Sequence, residues 1–154
     1  MGTPPLGTGV LLEGMQAANG IGWSPDGTIT YVVDSGLRLI HRLRTATQGP
    51  LQPVDPPLGV PVGAPDGLTV DSEGCLWVAL WDGGCVVRLS PDGEELARVV
   101  MPCSRPSACA LAGPRLVVTT ATVPGEEDSG WTYAVDVTVG GPSAHRSAMT
   151  GAPG

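Results

Sequence analysis

Between Pro65 and Gly93 three short apolar runs, residues 68–70, 76–81 and 85–89, are separated by Asp-Ser-Glu-Gly and Asp-Gly-Gly and closed by Pro-Asp-Gly. Apolar runs of this length between turn signals predict β-strands joined by tight turns. The same pattern occurs upstream. Asn19-Gly20 leads through Ser24-Pro25-Asp26-Gly27 into an apolar run over 28–33, then Asp34-Ser35-Gly36, then a second run over 37–43. Ser-Pro-Asp-Gly is strong turn chemistry, because proline presets φ early in the turn and glycine accepts positive φ later.

The two units superimpose. Asn19-Gly20 falls on Asp66-Gly67 and Gly27 on Gly74 at an offset of 47; after the turn Tyr31 falls on Trp77 and Arg42 on Arg88 at 46. A fainter third copy lies 40 residues further on, placing Ser107 on Gly67, Leu116 on Leu76 and Val118 on Val78. In that copy Pro106 replaces the acidic position of Asp66. Repeats of about 40–50 residues with several strands each are the signature of a β-propeller. The expected fold is therefore all-β, with about three blades over residues 10–142, preceded by an ill-ordered lead-in at 1–9 and followed by a flexible tail at 143–154. A short strand is expected over 10–12, one outer strand within 45–65, a polar loop at 123–129 and a further strand over 131–136. Propellers close into rings of four to eight blades. Three blades leave two sheet faces to be covered by further chain or by a second copy, so a homodimer that completes a six-bladed ring is one expectation.

Composition changes this picture little. Gly 23 and Pro 16 make up about a quarter of the 154 residues, which many turns account for, while 42% hydrophobic content supplies a core. The net charge of −7 and the absence of any lysine or basic cluster argue against nucleic acid and anionic membranes as partners. No apolar run reaches membrane-spanning length and no basic-then-apolar leader opens the sequence, so the expected location is cytoplasmic. Cys75, Cys85, Cys103 and Cys109 lack metal or redox spacing and sit among apolar neighbours. Buried thiols are expected, a disulfide being the alternative.

Asn19 and Asp66 are the candidate functional side chains, although Asn-Gly and Asp-Gly are also ordinary turn dipeptides. Asp26, Asp71, Glu73 and Asp92 are expected to be solvated turn residues, Glu126-Glu127-Asp128 a solvated run, and Trp77, Trp81 and Trp131 blade packing. His41 has no evident nucleophile beside it, and no phosphate-binding glycine loop is present.

Taken together, Asn19-Gly-Ile-Gly-Trp-Ser-Pro-Asp-Gly, Pro65-Asp-Gly-Leu-Thr-Val-Asp-Ser-Glu-Gly-Cys-Leu-Trp-Val-Ala and Gly83-Gly-Cys-Val-Val-Arg-Leu-Ser-Pro-Asp-Gly93 resemble the regucalcin/gluconolactonase (senescence marker protein-like) family. The resemblance covers roughly residues 10 to 142 and implies the C-terminal half of a six-bladed propeller. It implies a divalent ion, Ca²⁺ or Zn²⁺, in the central channel and hydrolysis of a small-molecule sugar lactone. Asn19 and Asp66 match two of the family's three metal ligands, and Asp66 also its general base. The third ligand, a glutamate, and the substrate-contacting arginine and asparagine belong to blades with no counterpart here. Glu13 is in the wrong blade to replace that glutamate. The expectation is thus a metal-dependent lactonase, set against a non-catalytic partial propeller that serves as a binding module or acts only once a ring is complete.

Overall fold

The computed structural model describes residues 9–45 and 51–142. The expected tail at 143–154, and the lead-in except for Gly9, lie outside the described residues. Eleven strands form three antiparallel sheets, and the described residues contain no helix. The first sheet holds β1 (Ala18–Trp23), β2 (Ile29–Asp34), β3 (Leu39–Arg44) and β4 (Gln52–Gly59) in sequence order. The second holds β5 (Ala64–Val70), β6 (Leu76–Trp81), β7 (Cys85–Leu89) and β8 (Glu95–Val100), and the third β9 (Pro106–Ala112), β10 (Arg115–Thr120) and β11 (Thr132–Asp136). Each sheet is a propeller blade whose first strand is innermost, and β5 lies between β1 and β9. The partial propeller expected from the repeats is what forms. No strand forms at 10–12; Val10 and Leu11 are exposed there, and the innermost strand starts at Ala18, where the ladder to Asp34 begins.

Burial explains why the apolar runs differ between repeats. The middle blade is covered on both faces, so β6 is apolar at every position. Leu76, Val78 and Leu80 pack with Tyr31, Val33 and Ile40 of the first blade. Trp77 and Ala79, pointing the other way, pack with Cys109, Leu116 and Val118 of the third. Strand β10 has one covered face and alternates, with Leu116 and Val118 buried and Arg115 and Thr119 exposed. Side chains alternate across a strand, so a continuous apolar run marks a blade sandwiched between two others. Each fully buried Leu or Val contributes about 1.5–3 kcal/mol. All four cysteines are buried free thiols, which excludes the disulfide alternative. Burial pushes the Cys109 thiol up to about 12, and its Sγ donates to the Trp77 carbonyl at 3.2 Å.

Asp71 departs from the expected solvated turn residue, since its side chain is wholly buried. Its carboxylate accepts the backbone N–H groups of Glu73 and Cys75 at 3.0 Å, Trp77 Nε1–H at 3.1 Å and Arg88 Nε–H at 2.8 Å. One carboxylate thus caps the turn after β5 and pins both the tryptophan of β6 and the arginine of β7. Hydrogen bonding to Asp71 raises the Arg88 pKa, and Glu73 adds a second ion pair at 2.7 Å. In the first blade Ser24 takes the place of Asp71 and holds only its own turn, accepting Ile29 N–H at 2.9 Å. There Arg42 donates instead to the carbonyls of Pro56 at 2.8 Å and Pro91 at 3.2 Å. Trp131 departs from its expectation too, being 57% exposed and stacked on Tyr133 rather than packed between blades.

Asp34, at the end of β2, is a second inaccessible carboxylate. It accepts N–H groups from Gln16 (2.9 Å), Ala17 (3.1 Å), Gly36 (3.1 Å) and Leu37 (3.1 Å), tying the approach to β1 onto the β2–β3 turn. Burial alone would raise its pKa, but the four donors outweigh burial and hold it below the usual aspartate value.

Asp71→Ala is expected to cost about 3–5 kcal/mol in urea unfolding, because it leaves the Arg88 guanidinium, 13% exposed, without its buried partner. Asp34 makes the protein acid-sensitive in a defined direction. Its contribution is fully present above the unfolded-state pKa of about 4 and is lost as pH falls through the lower folded-state value. Asp34→Asn is expected to flatten the stability-against-pH curve in that acid range, measured as urea midpoints between neutral pH and acid.

Candidate functional site

Asn19-Gly20 and Asp66-Gly67 lie inside strands, which removes the turn explanation for both dipeptides. Each occupies an irregularity at the same place in its blade. On β1 the ladder passes from Ala18↔Asp34 to Ile21↔Val32, so Asn19 and Gly20 together oppose Val33. On β5 it passes from Pro65↔Leu80 to Leu68↔Val78, so Asp66 and Gly67 together oppose Ala79. Such bulges bend a strand and re-aim its side chains. A third irregularity on β9 falls at Ser107, beside the buried, donor-free Pro106.

The glycines let the innermost strands converge. A Cβ on Gly20 would stand 2.8 Å from Leu68 N, and one on Gly67 would stand 2.6 Å from Ala108 Cα. Only glycine permits backbones to approach this closely. The polar residue before each glycine is thereby carried to the seam between blades, and Asn19 and Asp66 reach the same cleft. That cleft measures about 310 Å³ and is lined by Asn19, Ser35, Ala64, Asp66 and Trp81.

A hydrogen-bonded chain fixes the arrangement. Asn19 Nδ2–H donates to Ser35 Oγ at 3.2 Å, and Ser35 Oγ–H donates to the Pro65 carbonyl at 2.6 Å. The β2–β3 turn of the first blade is so bonded to the residue preceding Asp66 in the second. Burial pushes the Asp66 carboxyl above its usual value, and the Asn19 amide beside it pulls it partly back. An amide and a carboxylate are hard oxygen donors of the kind that suit Ca²⁺. They number two, and among the described residues no group of three or more His, Cys, Asp or Glu side chains gathers to hold a metal. Asn19 and Asp66 therefore fit as part of a ligand set.

The other sequence candidates are spread elsewhere. Asp26 and Asp92 are exposed turn residues as expected, Asp26 accepting from Ser24 Oγ and from Thr28. Glu126, expected to be solvated, accepts Ser104 N–H and Oγ–H at 2.7 Å each and serves as a loop clamp. Ser35 and Trp81 line the cleft without having been singled out for it. They occupy one repeat position at an offset of 46, and placing the repeats over the cleft residues would have found them. No helix among the described residues is long and apolar enough to cross a membrane.

A family model described as SMP-30/Gluconolactonase/LRE-like region matches residues 5–122. L-arabinolactonase of Azospirillum brasilense is 45% identical over 115 residues, covering 73% of this chain and 38% of that protein. A pentonolactonase of Haloferax volcanii is 34% identical over 128 residues, covering 76% and 42%. Among solved structures, a calcium-binding protein, regucalcin, from Agrobacterium tumefaciens superimposes with a TM-score of 0.69 at 30% identity, over 82% of this chain and 48% of that one. The chain thus spans less than half the length of these relatives. With repeats, bulges and blade order in agreement with the family match, the chain belongs to the SMP-30/gluconolactonase/LRE-like family.

Proposed function

We propose that these blades form one wall of the active site of a sugar lactone hydrolase, with Asn19 and Asp66 as two of the side chains that hold a divalent cation, Ca²⁺ or Zn²⁺. The observation that carries this reading is the delivery of both oxygen donors to one cleft from equivalent bulges of adjacent blades. The lactonase names of the relatives supply the substrate class.

A bound cation supplies polarisation of the lactone carbonyl and acidification of water. The rest falls to this chain. Asp66, carried into the cleft by its bulge, is placed to act as general base. Asp66 takes a proton from the attacking water and returns it to the ring oxygen as the acyl C–O bond breaks, leaving an open-chain aldonate. Asn19, held by Ser35, presents its amide beside that carboxylate. The remaining ligands come from outside the described residues, from further blades of the same polypeptide or from a second copy that closes a six-bladed ring. Ile21 and Trp23 on the first blade's innermost strand, 46% and 54% exposed, are apolar surface that such closure would cover.

Hydrolysis of L-arabinonolactone and gluconolactone by the purified chain tests this reading, with Ca²⁺ or Zn²⁺ and after chelation, alongside light scattering. Activity that needs the cation and falls about 10²–10⁴-fold in kcat/KM in Asp66→Ala is expected. Activity that survives chelation, or is unchanged in Asp66→Ala, overturns the site. A monodisperse monomer rules out the closed dimer, and an inactive one leaves a non-catalytic binding module as the function.

A further inference from the structure

Trp77 and Trp81 lie four residues apart on β6 and do different things. Trp77 is 4% exposed, packs between blades and donates its Nε1–H to Asp71. Trp81 is half-buried, joins neither buried cluster and borders the cleft beside Asn19, Ser35 and Asp66. The Arg105 guanidinium lies over the Trp81 ring at 5.0 Å from its centroid and is ion-paired with Asp82 at 2.6 Å. The backbone beneath is tightly held. Gly83 N–H donates to the Leu80 carbonyl at 2.9 Å, and a Cβ on Gly63 would stand 2.9 Å from the Trp81 carbonyl oxygen. An indole braced by a cation, fixed by its turn and bordering a cleft into which a few polar side chains converge has the form of a ligand platform.

We infer that Trp81 is the surface on which the lactone ring lies, with Arg105 as the residue that holds the indole in place. The inference rests on the lactonase reading and adds to it the residue that would hold the face of the lactone ring. Such a ring offers a face of C–H groups to the indole while its hydroxyls and acyl group turn toward Asn19 and Asp66. The platform also separates substrate from product. Opening the ester bond turns a compact ring into an extended aldonate that no longer covers the indole, so the same contact that binds the lactone lets the product go.

A non-hydrolysable pentonolactam, added to the full chain in Ca²⁺, tests this by tryptophan fluorescence and calorimetry, with the open-chain polyol arabinitol as comparison. The lactam is expected to quench fluorescence saturably and to bind at least about tenfold more tightly than arabinitol. Trp81→Phe is expected to abolish the quench yet keep the calorimetric Kd within about threefold, while Trp81→Ala weakens binding about tenfold or more. In turnover, Trp81→Ala should raise KM by a similar factor with kcat within about threefold, a split that general destabilisation would not produce. The platform is overturned if wild-type chain does not bind the lactam, if Trp81→Ala binds it equally, or if arabinitol binds as tightly. Asp66-dependent hydrolysis with unchanged KM in Trp81→Ala rejects the platform and leaves the lactonase reading standing. Hydrolysis indifferent to Asp66→Ala rejects the lactonase reading itself.

Discussion

The architecture depends on how closely the innermost strands can approach one another. Gly20 sits against the backbone of residues 66–68, and Gly67 against Ser107 and Ala108, at separations where a side chain would collide with main chain. Where the next blade is absent among the described residues, the equivalent position is Ser107, with room for a hydroxyl that bonds Thr119 Oγ1 at 2.9 Å. Close approach and the bulge are two consequences of one dipeptide. The glycine lets the strands meet, and the extra residue turns the preceding side chain to the seam. Asn19 and Asp66 owe their convergence to this backbone constraint, and the hydrogen bonds through Ser35 then lock it.

Stability is distributed unevenly around that seam. The middle blade is buried on both faces, and Asp71 fastens its first turn, its second strand and its third strand to one carboxylate. The first blade lacks that clamp but has Asp34, which anchors the approach to β1 and the turn carrying Ser35. Two buried carboxylates thus anchor turns of the first two blades without entering the candidate site. Each is fully supplied with donors, the condition under which burying a charge is tolerated. Asp66 is the carboxylate near the seam that is not.

The repeats make blade number and strand order legible, and the alignment of Asn19 with Asp66 picks out two residues that share the cleft. What stayed hidden depended on partners distant in the chain. Asp71 reads as an Asp-Ser-Glu-Gly turn residue, because nothing local announces that Trp77 and Arg88 will close over it. Trp81 reads as one more apolar residue in a run whose other members are buried. Its different role follows from its place at the strand end, where the sheet gives way to the cleft. Residues 10–12 show the converse error: a short apolar run whose side chains find nothing to pack against, Val10 and Leu11 being exposed, does not make a strand.

The state of Asp66 follows from the same seam. Convergence of β1 and β5 withdraws its carboxyl from water and raises its pKa, and the one neighbour that offsets this among the described residues is a neutral amide. Its charge is therefore under-supplied relative to Asp71, which faces Arg88, and to Asp34, which faces four N–H groups. An under-supplied carboxylate can be relieved by a proton or by a cation, and the two compete for the same oxygens. If a cation occupies the seam, it competes with a proton for the Asp66 oxygens, so its affinity rises with pH through the ionisation of that carboxyl. Glycine-permitted strand convergence thus both assembles the donors and creates the electrostatic need that a divalent ion would meet.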